Sequence, residues 1–265
     1  MNQELQAELV SLTHELADAA RVETLKHFRG GGLQTASKLT GGFDPVTVAD
    51  RAAEQVMRNL IEAARPDDGI LGEEFGNKAG VSGLTWVLDP IDGTRGYISG
   101  TPTWGTLIGL HDGTSVIMGL IDQPYIGERF FGGFGKTSFA GPLGAGHLTT
   151  SQQQDLSQAI IFSTFPEVGS AAEAQAFNAV AQQCKLTRFG MDCYAYGLLA
   201  AGQIDLIIEA GLHPYDIQGP IGVIEAAGGI VTNWTGGPAD QGGQVVAAAT
   251  PELHAAALAI LAAHV

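Results

Sequence analysis

The chain has 265 residues, 45% hydrophobic and 15% charged, enough to bury a substantial core as one large domain or two medium ones. Its 13 basic against 28 acidic side chains leave a net charge of -15. That argues against a nucleic-acid or anionic-lipid surface, and an anionic substrate would be repelled unless its site carries cations. Two cysteines, Cys184 and Cys193, are too few for a disulfide framework and lack metal-knuckle spacing, so reduced thiols in a cytoplasmic protein are expected.

In chain order, Leu5, Leu9, Leu12 and Leu16 recur at the spacing of an amphipathic first helix. Acids stand early in that segment, as they do not in an export signal. The longest apolar run, Ala255 to Ala263, falls well short of the ~20 residues of a membrane span. A Gly-rich, hinge-like loop is expected from Gly30 to Gly42. Residues 45–48 then lead into a second helix, with Val56, Leu60, Ala63 and Ala64 on its apolar face, stopped before Pro66. Ile70-Leu71 reads as a short strand opening on Gly72-Glu73-Glu74, and Leu84 to Leu88 as the next. A hairpin turning at Asp112-Gly113 and a strand around Arg129-Phe131 complete an antiparallel sheet.

The second half alternates. Strands are expected at Ala159–Phe162, Ile204–Ile208, Ile230–Thr232 and Val245–Ala248. Helices are expected at Ala171–Ala181, Tyr194–Ala201, Ile217–Ala227 (closed by Gly228-Gly229) and the C-terminal run. Two α+β halves follow, 1–145 and 146–265.

The stretch WVLDPIDGTRGYISG ends an apolar strand in two aspartates three positions apart. Carboxylates held that close repel, and each resists leaving water, so a cation belongs between them. Glu73, Asp89, Asp92 and Asp216 all stand at the ends of apolar segments. Oxygen ligands alone suit a hard ion such as Mg²⁺, and no Cys or His cluster offers zinc a site. The plain alternative is that DPIDGT is an Asx-capped turn and Glu73 a solvated loop residue.

Three motifs in order, GEEFG (72–76), DPIDGT (89–94) and PYDIQGPIGVIEAAGG (214–229), resemble those of the inositol monophosphatase family of Mg²⁺-dependent, lithium-sensitive phosphatases. The resemblance implies a layered α/β/α/β/α sandwich, usually a homodimer, with two or three Mg²⁺ per site. Glu73, Asp89 and the Ile91 carbonyl would hold one metal. Asp89 would bridge to a second, held also by Asp92 and Asp216. The metals would clamp a phosphate monoester and lower the pKa of a bound water. Gly93 and Thr94 would receive the phosphate at the start of a short helix, and Pro220 would fall in the first turn of a helix capped by Asp216. PVTVAD resembles the family stretch that sets an aspartate, here Asp50, against the Thr94 hydroxyl to activate water; alone, Asp50 reads as an ordinary helix N-terminal acid. One departure stands out: the family's usual Trp-Asp-x-Ala is here Tyr215-Asp216-Ile217-Gln218.

Within the family, GTRGYISGTPTWGTLIGL and RFGMDCYAYGLLAAGQIDLIIEAGLHPYD resemble the histidinol-phosphate phosphatases of histidine biosynthesis. Asp192 and Glu209 would then face the partly cationic alcohol of L-histidinol phosphate. As an alternative, Asp192 caps the helix near Tyr194. Other readings are a phosphatase for inositol phosphates or 3'(2'),5'-bisphosphate nucleotides, and a partner-binding regulatory protein on the same fold. His111, His213 and His254 show no partner pattern and read as surface or packing residues.

Overall fold

The computed structural model describes residues 1–30, 35–37 and 45–264, so most of the expected 30–42 loop lies outside the described residues. Its elements run α1 (Gln3–His27), β1 (Thr35–Ser37), β2 (Pro45–Thr47), α2 (Val48–Ala64), β3 (Gly69–Gly72), β4 (Gly76–Lys78), β5 (Thr85–Asp92) and α3 (Thr94–Ser99). Then come β6 (Gly105–His111), β7 (Val116–Gln123), β8 (Glu128–Gly133), β9 (Lys136–Gly141), β10 (Gly144–Gly146), β11 (Ile160–Ser163) and α4 (Ala171–Ala181). The chain closes with β12 (Leu186–Phe189), α5 (Tyr194–Ala200), β13 (Leu206–Leu212), α6 (Pro214–Ala226), β14 (Ile230–Thr232), β15 (Gly243–Ala248) and α7 (Pro251–Leu261). No described helix is long and apolar enough to cross a membrane.

Strands β3 to β10 form an eight-stranded sheet in the order β10-β9-β8-β7-β6-β5-β3-β4, β1 and β2 pair apart from it, and the strands of the second half form a five-stranded sheet, β12-β11-β13-β15-β14. The first sheet is not wholly antiparallel as expected. β3 and β5 run parallel, because helix-length chain is not needed when the crossover passes through the edge strand β4.

Alternation along the strands sorts the core into layers. On β6 and β7, Leu107 and Ile121 face the space between the sheets, while Ile108, Leu110 and Leu120 face α1 and α2. On β13, Ile207 points inward, whereas Leu206 and Ile208 pack toward Phe177 and Val180 of α4 and Leu253 of α7. The result is α1/α2, sheet, α5/α6, sheet, α4/α7: the layered α+β sandwich the motifs imply.

The helix α6 lies in the middle layer and is buried on every side from Ile217 to Ile224. It reaches the sheet through glycines. A Cβ on Gly119 of β7 would lie 1.9 Å from the Gly219 carbonyl oxygen of α6, a backbone atom that cannot step aside. Gly119→Ala is therefore expected to destabilise by about 3 kcal/mol or more, lowering Tm by roughly 5–10 °C in thermal denaturation. An unchanged Tm would mean that α6 stands off the sheet.

Two helices differ from expectation. Val56 and Leu60 of α2 are only half-buried and Ala63 and Ala64 are exposed; the core face is Ala53, Met57 and Ile61, one residue further round. The α6 helix begins at Pro214, not at Asp216, because Pro at N1 has a preset φ and Asp216 closes a capping box from N3 onto the His213 amide at 2.7 Å. Pro220 consequently sits inside the helix, where it brings no amide to the Asp216 carbonyl.

Candidate active site

The strand β5 does not stop at Leu88. It runs through both aspartates, with an irregularity between Asp89 and Asp92 where the register against β6 shifts. An extra residue in a strand re-aims its side chains, and here it lets two carboxylates three positions apart turn to one side. Asp89 receives the Ile91 amide at 3.0 Å, closing a small Asx turn around Pro90. The plain turn reading is thus half right: the Asx turn exists, and it serves to hold a carboxylate in place.

Asp216, delivered by the first turn of α6, completes the group. One carboxylate oxygen from each of Asp89, Asp92 and Asp216 lies within 4.8 Å of the others. All three line a cavity of about 290 Å³ between the two sheets, together with Glu73, Ile91, Gly93, Thr94, Asp192 and Glu209. Burial raises the Asp89 pKa well above the usual carboxylate range, and repulsion from Glu73, Asp92 and Asp216 raises it further. Burial does the same to Asp92, with Asp216 and Asp192 adding to it against the Cys193 amide, which donates to Asp92 Oδ2 at 2.6 Å. Like charges in a low dielectric, with oxygen donors converging on one point, fit a hard divalent cation.

Glu73 sits where β3 ends, and its placement rests on a pair the sequence reading passed over. Glu54 and Arg58 are four residues apart on α2, both buried, with Arg58 Nε 2.7 Å from Glu54 Oε1. The Glu54 carboxylate accepts from the amides of Glu74 at 2.7 Å and Phe75 at 3.2 Å, and Arg58 donates to the Gly76 carbonyl. An acid and a base at i, i+4 on the inner face of a helix, facing a Gly-Glu-Glu turn, are the signal that was available.

Gly93 takes φ +81° as the N-cap of α3, and a Cβ there would lie 2.9 Å from Asp192, so glycine is required on both counts. The Thr94 hydroxyl donates to the Ile91 carbonyl at 3.1 Å. It does not meet Asp50. That carboxylate is tied instead to Thr47, through the amide at 2.8 Å and the hydroxyl at 2.5 Å, as the capping box of α2. Burial lifts the Asp50 pKa to about 6 against those bonds. The expected Asp50–Thr94 pair is therefore absent among the described residues, and the local capping role wins because Thr47 is three residues away on the same turn.

Asp192 does not cap α5. Its φ is +46° and its side chain turns back to accept from the Thr103 hydroxyl at 3.2 Å, leaving Cys193 at the N-cap position. Glu209, on β13, accepts at Oε1 from the Thr164 amide at 2.6 Å and hydroxyl at 2.9 Å, and at Oε2 from Ser163 at 3.1 Å. Burial pushes its pKa up to about 7, opposed by those hydrogen bonds. Of the three histidines, His213 also lines the cavity, stacked 5.1 Å from Tyr215, whereas His111 receives the Gly113 amide and His254 meets Thr232.

A buried group of carboxylates in a cavity between the two sheets of a layered α+β sandwich suits a divalent cation. The family model for the inositol monophosphatase family matches residues 5–265, and the chain belongs to that family. A histidinol-phosphatase of Streptomyces coelicolor is 34% identical over 92% of this chain and 92% of its own. The chloroplastic bifunctional phosphatase IMPL2 of Arabidopsis thaliana is 42% identical over 83% of this chain, which spans 63% of that relative's length. A solved inositol monophosphatase from Zymomonas mobilis superposes with a TM-score of 0.85 at 36% identity, covering 97% of this chain and 98% of its own.

Proposed function

We propose that the chain is a Mg²⁺-dependent phosphomonoesterase that hydrolyses L-histidinol phosphate to L-histidinol and phosphate. The observation that carries this reading is that the cavity holds two acids besides the proposed metal ligands. Beyond the carboxylates that would hold metal, Glu209 and Asp192 both line the cavity, where an alcohol bearing an ammonium group fits better than a neutral one. Similarity to the Streptomyces histidinol-phosphatase supports it.

In this reading Glu73, Asp89 and the Ile91 carbonyl would hold one Mg²⁺, and Asp89, Asp92 and Asp216 would hold a second. Bound Mg²⁺ supplies the positive charge that receives a phosphate dianion and the Lewis acidity that eases proton loss from water. The chain's own residues do the rest. Gly93 brings bare backbone to the cavity, and Thr94 keeps its hydroxyl proton on the Ile91 carbonyl, so its lone pairs are left to orient the attacking water. With Asp50 engaged by Thr47, Glu73, which lines the same cavity, is left to take the proton of that water. Residues 1–145 and 146–265 act as two halves that meet at this cleft, in a cytoplasmic, lithium-sensitive homodimer.

A cyclitol phosphate is the competing substrate, favoured by the likeness to the Zymomonas mobilis inositol monophosphatase. The two separate in one assay with Mg²⁺. We expect kcat/KM for histidinol phosphate to exceed that for myo-inositol 1-phosphate by about tenfold or more, the value of one hydrogen bond to a charged group. A preference for the cyclitol would replace the histidinol reading with the inositol one.

A further inference from the structure

The residues Ser163 and Thr164 that hold Glu209 are followed at once by Phe165, whose ring lines the same cavity and is 43% exposed. A lone part-exposed phenyl is ordinary on a protein surface; what sets this one apart is its place on the cavity with a guanidinium against its ring. Across the mouth, the Arg95 guanidinium lies 5.1 Å from the ring centroid. Arg95 belongs to α3, beside the carboxylates of the eight-stranded sheet, whereas Phe165 leaves β11 of the five-stranded one. The pair spans the cleft.

We infer that Phe165, steadied by Arg95, is a specificity-determining platform for the alcohol half of the substrate, selecting phosphate esters that carry a flat unsaturated ring. The inference rests on the reading above, in which the phosphate occupies the carboxylate end and the alcohol extends toward Glu209. A ring with an ammonium beside it meets both groups at once: its flat face meets phenyl, and its charge meets carboxylate. A cyclitol has neither a flat face nor a cation, and its hydroxyls find no hydrogen-bond partner on a phenyl ring. Arg95 also adds a positive charge near Asp192, lowering the pKa that burial raises there. Both Arg95 and Phe165 line the cavity, so the platform and the cation beside it face the same space.

The test uses Phe165→Leu, which keeps apolar bulk and removes the ring, and Phe165→Tyr, which restores it. Four substrates separate the contributions: histidinol phosphate (ring and ammonium), p-nitrophenyl phosphate (ring alone), O-phosphoethanolamine (ammonium alone) and myo-inositol 1-phosphate (neither). The ratio of variant to wild-type kcat/KM is read for each, which cancels their differing reactivity. Phe165→Leu is expected to lose about tenfold more on the two ring-bearing esters than on the other two, and Phe165→Tyr to recover most of it. Calorimetric binding of L-histidinol to the metal-free protein should weaken by a similar factor in Phe165→Leu.

Equal losses on all four esters would overturn the inference, making the ring a strap between the sheets. No loss on any would overturn it too. If wild-type enzyme proves indifferent to histidinol phosphate but Phe165→Leu still loses selectively on p-nitrophenyl phosphate, the substrate reading falls and the platform stands. If wild type prefers histidinol phosphate and Phe165→Leu keeps that preference, the platform falls alone.

Discussion

Asp89→Asn is expected to remove phosphatase activity about a thousandfold while making the metal-free protein more stable. Both signs come from one charge. Asp89 is 2% exposed, and Glu73, Asp92 and Asp216 all repel its carboxylate. Asparagine keeps the shape and the oxygen that receives the Ile91 amide, so the Asx turn around Pro90 survives. Repulsion among the remaining acids falls, and without metal the folded state gains. Catalysis moves the other way, because the proposed bridging charge is lost from both cations at once. Leaving one member of a buried charge cluster uncompensated costs about 3–5 kcal/mol, or roughly a few hundred- to a few thousandfold in an equilibrium or rate.

Chelation with EDTA should abolish wild-type activity and Mg²⁺ restore it, whereas Asp89→Asn should stay inactive at any Mg²⁺ concentration that saturates the wild type. The paired measurement is thermal denaturation in EDTA. A packing defect would lower both activity and Tm; loss of a metal-holding charge lowers activity and raises Tm. Full activity with an unchanged Mg²⁺ requirement would remove Asp89 from the metal site.

The opposed signs also mark what a sequence can disclose. That Asp89, Asp92, Glu73 and Asp216 gather in one cavity was legible because carboxylates crowded at the ends of apolar segments are odd enough to ask for a shared purpose. The layers were legible because period-2 alternation on β6, β7 and β13 and buried faces on the helices leave few ways to stack. What escaped was set by neighbours distant in sequence. The inner face of α2 carries Glu54 and Arg58 because the turn after β3 needs acceptors and a donor there, and that turn lies about twenty residues downstream. An apolar-only reading of the helix therefore landed on Val56, Leu60, Ala63 and Ala64. Asp50 was assigned to Thr94 through the resemblance, although Thr47, three residues back, made the capping box the stronger local claim. Nor did proline and aspartate positions alone place the start of α6, since Pro220 fits the first turn of a helix capped by Asp216 as readily as Pro214 fits N1 of the longer helix that forms. Phe165 raised no signal at all: a lone aromatic after a strand is ordinary until the cavity beside it is seen.

Glu209→Gln is expected to lower kcat/KM for histidinol phosphate about ten- to a hundredfold more than for myo-inositol 1-phosphate, and to erase a pH dependence that the wild type should show. Glutamine is close to isosteric. Its Oε1 can still accept from Thr164, and its amide can donate to the Ser163 hydroxyl, so the loop beside β11 keeps its anchor. What disappears is negative charge opposite the substrate ammonium, a charge-assisted bond worth ~1.5–3 kcal/mol. Burial holds the Glu209 pKa up at about 7, above the 4.5 of a free glutamate, with Asp192 adding a smaller upward push. A raised acid favours its protonated form, so the stability Glu209 contributes is full below about pH 4.5 and declines as pH rises toward 7. Function runs in the opposite sense: below 7 the carboxyl is neutral and attracts an ammonium weakly, and above 7 it is charged. Cations bound at Asp89, Asp92 and Asp216, as proposed, would shift that midpoint downward. Water activation adds its own pH limb, but one common to both substrates. The quantity to measure is thus the ratio of kcat/KM for histidinol phosphate to that for myo-inositol 1-phosphate across pH 5 to 9, which reports the free enzyme and cancels the shared limb. In the wild type this ratio should climb with pH through a midpoint at or below 7, a rise that Glu209→Gln should lack while its ratio stays low. A ratio that ignores pH in the wild type, or a variant that loses equally on both esters, would assign Glu209 to holding the loop after β11 and leave the ammonium without its partner.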